Sequence, residues 1–235
     1  MTVAQIVKKA LRDLRAAADP ERKAHMEGYA ASAMKYLGVA VPAIRNVSRQ
    51  TAKEMKGAPP KDVVALAQAF VDSGFLEARQ LGYEILEFRK DALATLRTQD
   101  LRRLGKGMDN WASVDAFACS VAGRVWLGGG TTDAEIHRWA RSSDLWWRRA
   151  ALASTVSLNF KSRGGTGDPD RTFAICEMLH DDHEDMIVKA LSWALRSVIP
   201  HDASRVGAFL VDHEETLHPR VVREVSRKLT TGKKN

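Results

Sequence analysis

Apolar residues recur at helical spacing from one end of the chain to the other. Val3, Ile6, Val7, Ala10, Leu11 and Leu14 follow the i, i+3, i+4 rule, which predicts an amphipathic helix. Asp19-Pro20 supplies a cap followed by proline in a first turn. It predicts a second helix running to about Tyr36 and ended by Gly38. Val41-Pro42 opens a third, Pro59-Pro60 precede a fourth in KDVVALAQAFVDS, and Gly74 separates that from FLEARQLGYEILEFRK. The same spacing predicts helices in DALATL, LRRLGKGM, WASVDAFACSVAGRVWL, TDAEIHRWARS, LWWRRAALASTVSLNF, DRTFAICEMLH, EDMIVKALSWALRSVI, SRVGAFLVDH and PRVVREVSRKL. The breaks fall at Gly128-Gly129-Gly130, residues 162–169 and Pro200. No useful stretch shows the period-two alternation of a half-buried strand.

One polar position keeps returning inside this apolar pattern: Arg79, Asp115, Arg149, Lys189 and Arg220. The steps of about 36, 34, 40 and 31 residues fall in the range of helical-hairpin repeats. The expected fold is therefore all-α, an α-solenoid of HEAT-like repeats whose equivalent positions line a curved, concave basic groove. A plain helical bundle is the alternative. Residues 1–230 are expected to form a single domain, with 231–235 as a flexible basic tail.

Charge changes the picture modestly. The chain carries 36 Lys+Arg against 29 Asp+Glu, a net +7. This permits a polyanionic partner without requiring one. The two cysteines, Cys119 and Cys176, lie far apart within apolar helical stretches and read as buried thiols. The opening segment is amphipathic and charged, unlike a signal peptide, and no apolar run reaches the ~20 residues of a membrane span. A cytoplasmic protein without a membrane partner is expected.

Within the recurrent series, Asp115 is the single acid. Trp111 lies four residues before it and shares its helical face, and Trp193 follows Lys189 by the same interval. Both indoles are expected on the groove, whereas Trp126 and Trp139 sit at apolar phases and read as structural. One of Trp146 and Trp147 is expected to pack at a helix start. His180 and His183 have a possible ligand spacing in HDDHED, but no second motif completes a site. They read as polar loop residues, as His213 and His218 do, and no metal or cofactor is expected. SRGGTGDPD lacks the Lys-Ser/Thr of a phosphate-binding loop and reads as a surface connection. No Ser or Cys stands in a recognisable nucleophile context.

Five segments together resemble the AlkD-type alkylpurine DNA glycosylases, a HEAT-like repeat family. ERKAHMEGYAASAMKYLGVAVPAIRNV is similar to that family's N-terminal segment. NWASVDAF resembles its W-D-S-V-D motif, with Ala112 in place of the first acid. LWWRRAALA, VKALSWALRS and LHPRVVREVSRKL follow in the family's order. The resemblance implies a catalytic Asp115, Trp111 and Trp193 holding the lesion's sugar-phosphate backbone, Arg149 on that backbone and Tyr29 nearby. Lys189 and Arg220 are natural backbone contacts, although Lys189 is equally well read as a solvated cation.

The implied activity is hydrolysis of the N-glycosidic bond of cationic N3- and N7-alkylated purines in duplex DNA by a monomeric, cofactor-free, monofunctional enzyme. A non-catalytic relative binding damaged or branched DNA and a protein-binding scaffold are the competing readings.

Overall fold

The computed structural model describes residues 1–233 and is all-α. Among these residues, β-pairing is confined to two isolated bridges, Ala18 with Val39 and Lys35 with Phe75. The chain forms two compact units, Met1–Val121 and one beginning at Ala122. Among the described residues, no helix is long and apolar enough to cross a membrane.

The first unit contains α1 (Val3–Ala16), α2 (Pro20–Tyr29), α3 (Val41–Glu54), α4 (Pro60–Asp72), α5 (Leu76–Phe88), α6 (Lys90–Thr95), α7 (Thr98–Leu104) and α8 (Trp111–Phe117). α1 starts in a capping box: Thr2 Oγ1 accepts from Gln5 N–H while the Gln5 side chain accepts from Thr2 N–H. Its Ile6, Ala10 and Leu14 are buried, as their spacing predicts. α5 is the enclosed helix, packed against α1, α3, α4, α6 and α8. Enclosure on all sides explains why its Glu77, Arg79 and Glu84 are buried with its apolar residues.

Arg79, expected on a surface, is only 4% exposed. It donates to the carbonyls of Leu104 (3.4 Å) and Lys106 (2.7 Å), pinning the turn after α7.

α2 ends at Tyr29 rather than near Tyr36. The chain from 30 to 40 takes its hydrogen bonds from segments distant in sequence instead. Leu37, Gly38 and Val39 N–H groups converge on the Glu77 carboxylate at 3.0, 2.7 and 3.3 Å. Lys35 N–H donates to Gly74 O, and Leu76 N–H returns to Lys35 O. Gly38 has φ +83°, and a Cβ there would meet Asp19 O at 2.2 Å, so glycine is needed for this close approach.

The second unit contains α9 (Gly123–Leu127), α10 (Asp133–Ala140), α11 (Leu145–Asn159), α12 (Pro169–Glu177), α13 (Asp185–Asp212) and α14 (Pro219–Thr231). α11 is its enclosed helix, packed by α9, α10, α12 and α13 and buried continuously from Arg149 to Asn159. Gly123 lets α9 approach it, since a Cβ there would meet Ser154 O at 2.4 Å.

The loop after α11 is tied down more firmly than a plain surface connection. Asn159 Nδ2 donates to Thr155 O, Thr172 Oγ1 and Ser197 Oγ, and its Oδ1 accepts from Asp168 N–H. The break expected at Pro200 occurs at Asp202 (φ −154°, ψ 75°), whose carboxylate then caps the continuing helix by accepting from Arg205 N–H. Of the expected tail, Thr231 is still helical, Gly232 closes α14 at φ 68°, and residues 234–235 lie outside the described residues.

Candidate nucleic-acid interface

In the first unit, the start of α8 is built by two neighbouring polar residues. Asn110 caps it, accepting from Ser113 N–H at 2.9 Å. Asp109 accepts from Asn110 Nδ2 (3.1 Å), Ser32 Oγ (2.5 Å) and Ala33 N–H (2.5 Å). These bonds anchor the segment after α2 beside the start of α8. They bring Tyr29 edge-on to Trp111, with ring centroids 5.6 Å apart and planes at 84°. His25 stacks on the other side of Tyr29, at 5.8 Å and 14°.

Trp111 is half-buried, whereas Tyr29 is 63% exposed. An exposed aromatic edge-on to an indole is a stacking platform with a wet side. Asp115, one helical turn on, is also half-buried and takes part in interactions with other groups of the protein. Its own carbonyl accepts from Ala118 N–H where α8 passes into a π-helical turn, Ala118–Ala122. Such turns widen a helix locally and often accompany functional residues. The sequence carries no visible mark of it, because WASVDAFACSVAGRVWL reads as one uninterrupted helix.

In the second unit, Trp193 is half-buried on α13, one turn beyond Lys189. Trp126 (1% exposed) and Trp139 (4%) are core residues, as their phases predict. Their indole N–H groups donate to Asp133 and Glu135. Trp147 packs on Trp139 with centroids 4.8 Å apart, so it supplies the packing expected at the start of α11.

The cations of this unit are more engaged than their sequence positions imply. Lys189 is 2.7 Å from Asp185, which also lies 3.4 Å from Arg220. Arg220 donates to Glu224 at 2.8 Å, and Ser192 Oγ donates to the other Glu224 oxygen at 2.6 Å. Arg196 completes the network, 3.7 Å from Glu224. Three cations against two carboxylates leave one net positive charge. Burial raises the Glu224 carboxyl, but the Ser192 and Arg220 hydrogen bonds and the Arg196 charge together hold it below the usual carboxylate range.

Arg149, expected as an open backbone contact, is 6% exposed and donates to Met186 O at 2.6 Å. Its place on the enclosed helix α11 is the physical reason, as α5 is for Arg79. The sequence missed two contributors. Asp109 looks like an ordinary loop acid until its reach of 76 and 77 residues is seen. His25 lacks any periodic signal.

A family model for a DNA alkylation repair enzyme matches residues 10–229. A solved structure described as a predicted DNA alkylation repair enzyme from Enterococcus faecalis shares 21% identity. The match covers 91% of this chain and 97% of that one, with a TM-score of 0.69. No curated protein matches the chain. With an all-α architecture shared across nearly its whole length and a family match over 10–229, the chain belongs to the DNA alkylation repair enzyme family.

Proposed function

We propose that this protein is a monofunctional DNA glycosylase that releases positively charged N3- and N7-alkylated purines from duplex DNA. The observation that carries the reading is on α8. Asp115 and Trp111 are both partly exposed one turn apart, and Trp111 is braced by an exposed tyrosine. Alkylation at N3 or N7 makes the purine a cationic leaving group, so departure requires no strong general acid. The remaining cost is the positive charge that builds on the deoxyribose as the glycosidic bond stretches. A carboxylate fixed beside C1′ stabilises that charge and orients the attacking water. At about 4 Å and an effective dielectric near 20, the attraction is roughly 4 kcal/mol. Acting only in the transition state, that is about a thousandfold in rate.

Trp111 offers an electron-rich face to the sugar, about 1 kcal/mol, and Trp193, half-buried on α13, is a DNA contact of the second unit. Tyr29 extends the aromatic surface, and Lys189 and Arg220 contact phosphates. Arg149, held within α11, acts by fixing the start of α13, on which Lys189 and Trp193 stand. The protein acts as a monomer in the cytoplasm.

The test is base release from methylated duplex DNA by wild type and by Asp115→Asn. Release by wild type and its loss in the variant, with DNA affinity retained, support the assignment. Tight DNA binding with no release by either protein replaces it with the non-catalytic DNA-binding reading.

A further inference from the structure

The histidine-rich end of the second unit carries a different chemistry. α12 ends at Glu177, His180 lies in the turn beyond it, and His213 immediately follows the last residue of α13. One potential ligand atom from each of these three residues lies within 4.8 Å of the other two. The partner of His180 is thus His213, 33 residues away in sequence, rather than the neighbouring His183.

We infer that Glu177, His180 and His213 form a binding site for a divalent transition-metal ion of the zinc class. Two imidazoles and a carboxylate are a donor set that suits such ions and is a poor one for magnesium or calcium, which take mainly oxygen. His213 Nε2 is already 3.0 Å from a Glu177 oxygen. Tetrahedral bonds of roughly 2.0–2.2 Å place ligand atoms about 3.3–3.5 Å apart. Separations of no more than 4.8 Å close with side-chain movements of about 1.5 Å or less.

Thr216 Oγ1 lies 2.8 Å from His180 Nδ1 and 3.2 Å from the His213 carbonyl oxygen. When that oxygen accepts from His180 Nδ1–H, the Nε2 lone pair is left for a metal, the arrangement that outer-shell partners impose on metal-bound histidine.

The His180 and His213 rings lie face to face at 4.2 Å and 27°. A metal ion would take one ring nitrogen from each. Phe209, 4% exposed, backs the His213 ring at 4.4 Å and limits its rotation. Finally, the site stands at the carboxyl ends of two helices, α12 and α13, whose dipoles favour a cation. A bound ion clips these two helix ends together and leaves a fourth position for water.

The test is calorimetric titration of the full-length, chelator-treated and desalted protein with Zn²⁺ alone and with Mg²⁺ alone, at neutral pH. One equivalent of Zn²⁺ is expected to bind and Mg²⁺ is not. His213→Ala and Glu177→Gln each weaken Zn²⁺ binding at least tenfold, while His183→Ala and His218→Ala change it less than about twofold. Glu177→Gln alters an exposed side chain at constant size, so it reports on the site even where His213→Ala is destabilised. Absence of Zn²⁺ binding overturns the assignment, as does equal binding of Mg²⁺. A loss that follows His183 or His218 instead of Glu177 also overturns it.

Discussion

α8 and α13 carry the same local device: a polar side chain and a tryptophan four residues apart, with the indole half-buried in each. Their surroundings make them different. On α8 the indole meets an exposed tyrosine, and the segment that follows that tyrosine is held by two hydrogen bonds to Asp109. On α13 the polar group is a lysine paired with Asp185, which also attracts Arg220. Helical spacing decides which side chains share a face. Residues from other elements decide what charge and what aromatic surface that face presents. Under the proposed function, the chemistry falls to α8 and the α13–α14 network holds DNA.

The sharpest test of this division is Asp115→Asn beside Lys189→Ala. Asp115→Asn is expected to lower single-turnover base release about a thousandfold while DNA affinity changes little. Lys189→Ala should leave the single-turnover rate at saturating enzyme nearly unchanged and weaken DNA binding a few-fold, with a shallower salt dependence. Equal losses of rate in both variants would erase the distinction between the two helices.

Asp109→Ala comes next. It strips the partners from Ser32, Ala33 and Asn110, at a cost of about 2 kcal/mol in unfolding free energy by denaturant titration. Tyr29 loses its anchor beside Trp111, so tryptophan fluorescence should shift as well. Trp111→Ala, which removes the platform directly, is expected to slow base release about fivefold without comparable loss of stability. If Trp111→Ala instead destabilises the fold as much as Asp109→Ala does, the indole is a packing residue and α8 loses its claim.

Much of this architecture is legible in the sequence, and the failures have identifiable causes. Apolar spacing locates nearly every helix, because burying one face needs no knowledge of the partner. It fails at α2, where Glu77, some forty residues on, captures the backbone N–H groups of 37–39. It fails again at Ala118–Ala122, where a π-helical turn leaves no compositional trace. The recurrent polar position marks a real helical phase but not exposure. Arg79 and Arg149 are buried because α5 and α11 are enclosed. The separate roles of four of the six tryptophans follow from phase: Trp126 and Trp139 are buried, while Trp111 and Trp193 remain half-exposed. The pairing of His180 with His213 was beyond reach, since turns at the ends of two different helices bring them together.

On the α13 side, charge pairing predicts smaller effects of opposite sign. Asp185→Asn removes the acid shared by Lys189 and Arg220, and should strengthen DNA binding about threefold, within the range of exposed ion pairs. Unchanged affinity would show that these cations do not meet DNA.

The smallest effect concerns Glu224, whose carboxyl titrates below its ordinary range in the folded chain. A lowered folded value means that the stabilisation is complete above the unfolded value, about 4.3, and disappears as pH falls through the folded one. Wild type should therefore melt higher than Glu224→Gln at neutral pH, and the gap should narrow steadily below about pH 4.3. Arg220 and Arg196 keep their charge throughout, so the narrowing reports the Glu224 proton alone. A gap that stays constant from neutral pH to pH 3 would mean that the network holds α14 by shape and neutral hydrogen bonds. The contrast between a structural α13–α14 cluster and a chemical α8 would then rest on Lys189 and Arg220 without the acid between them.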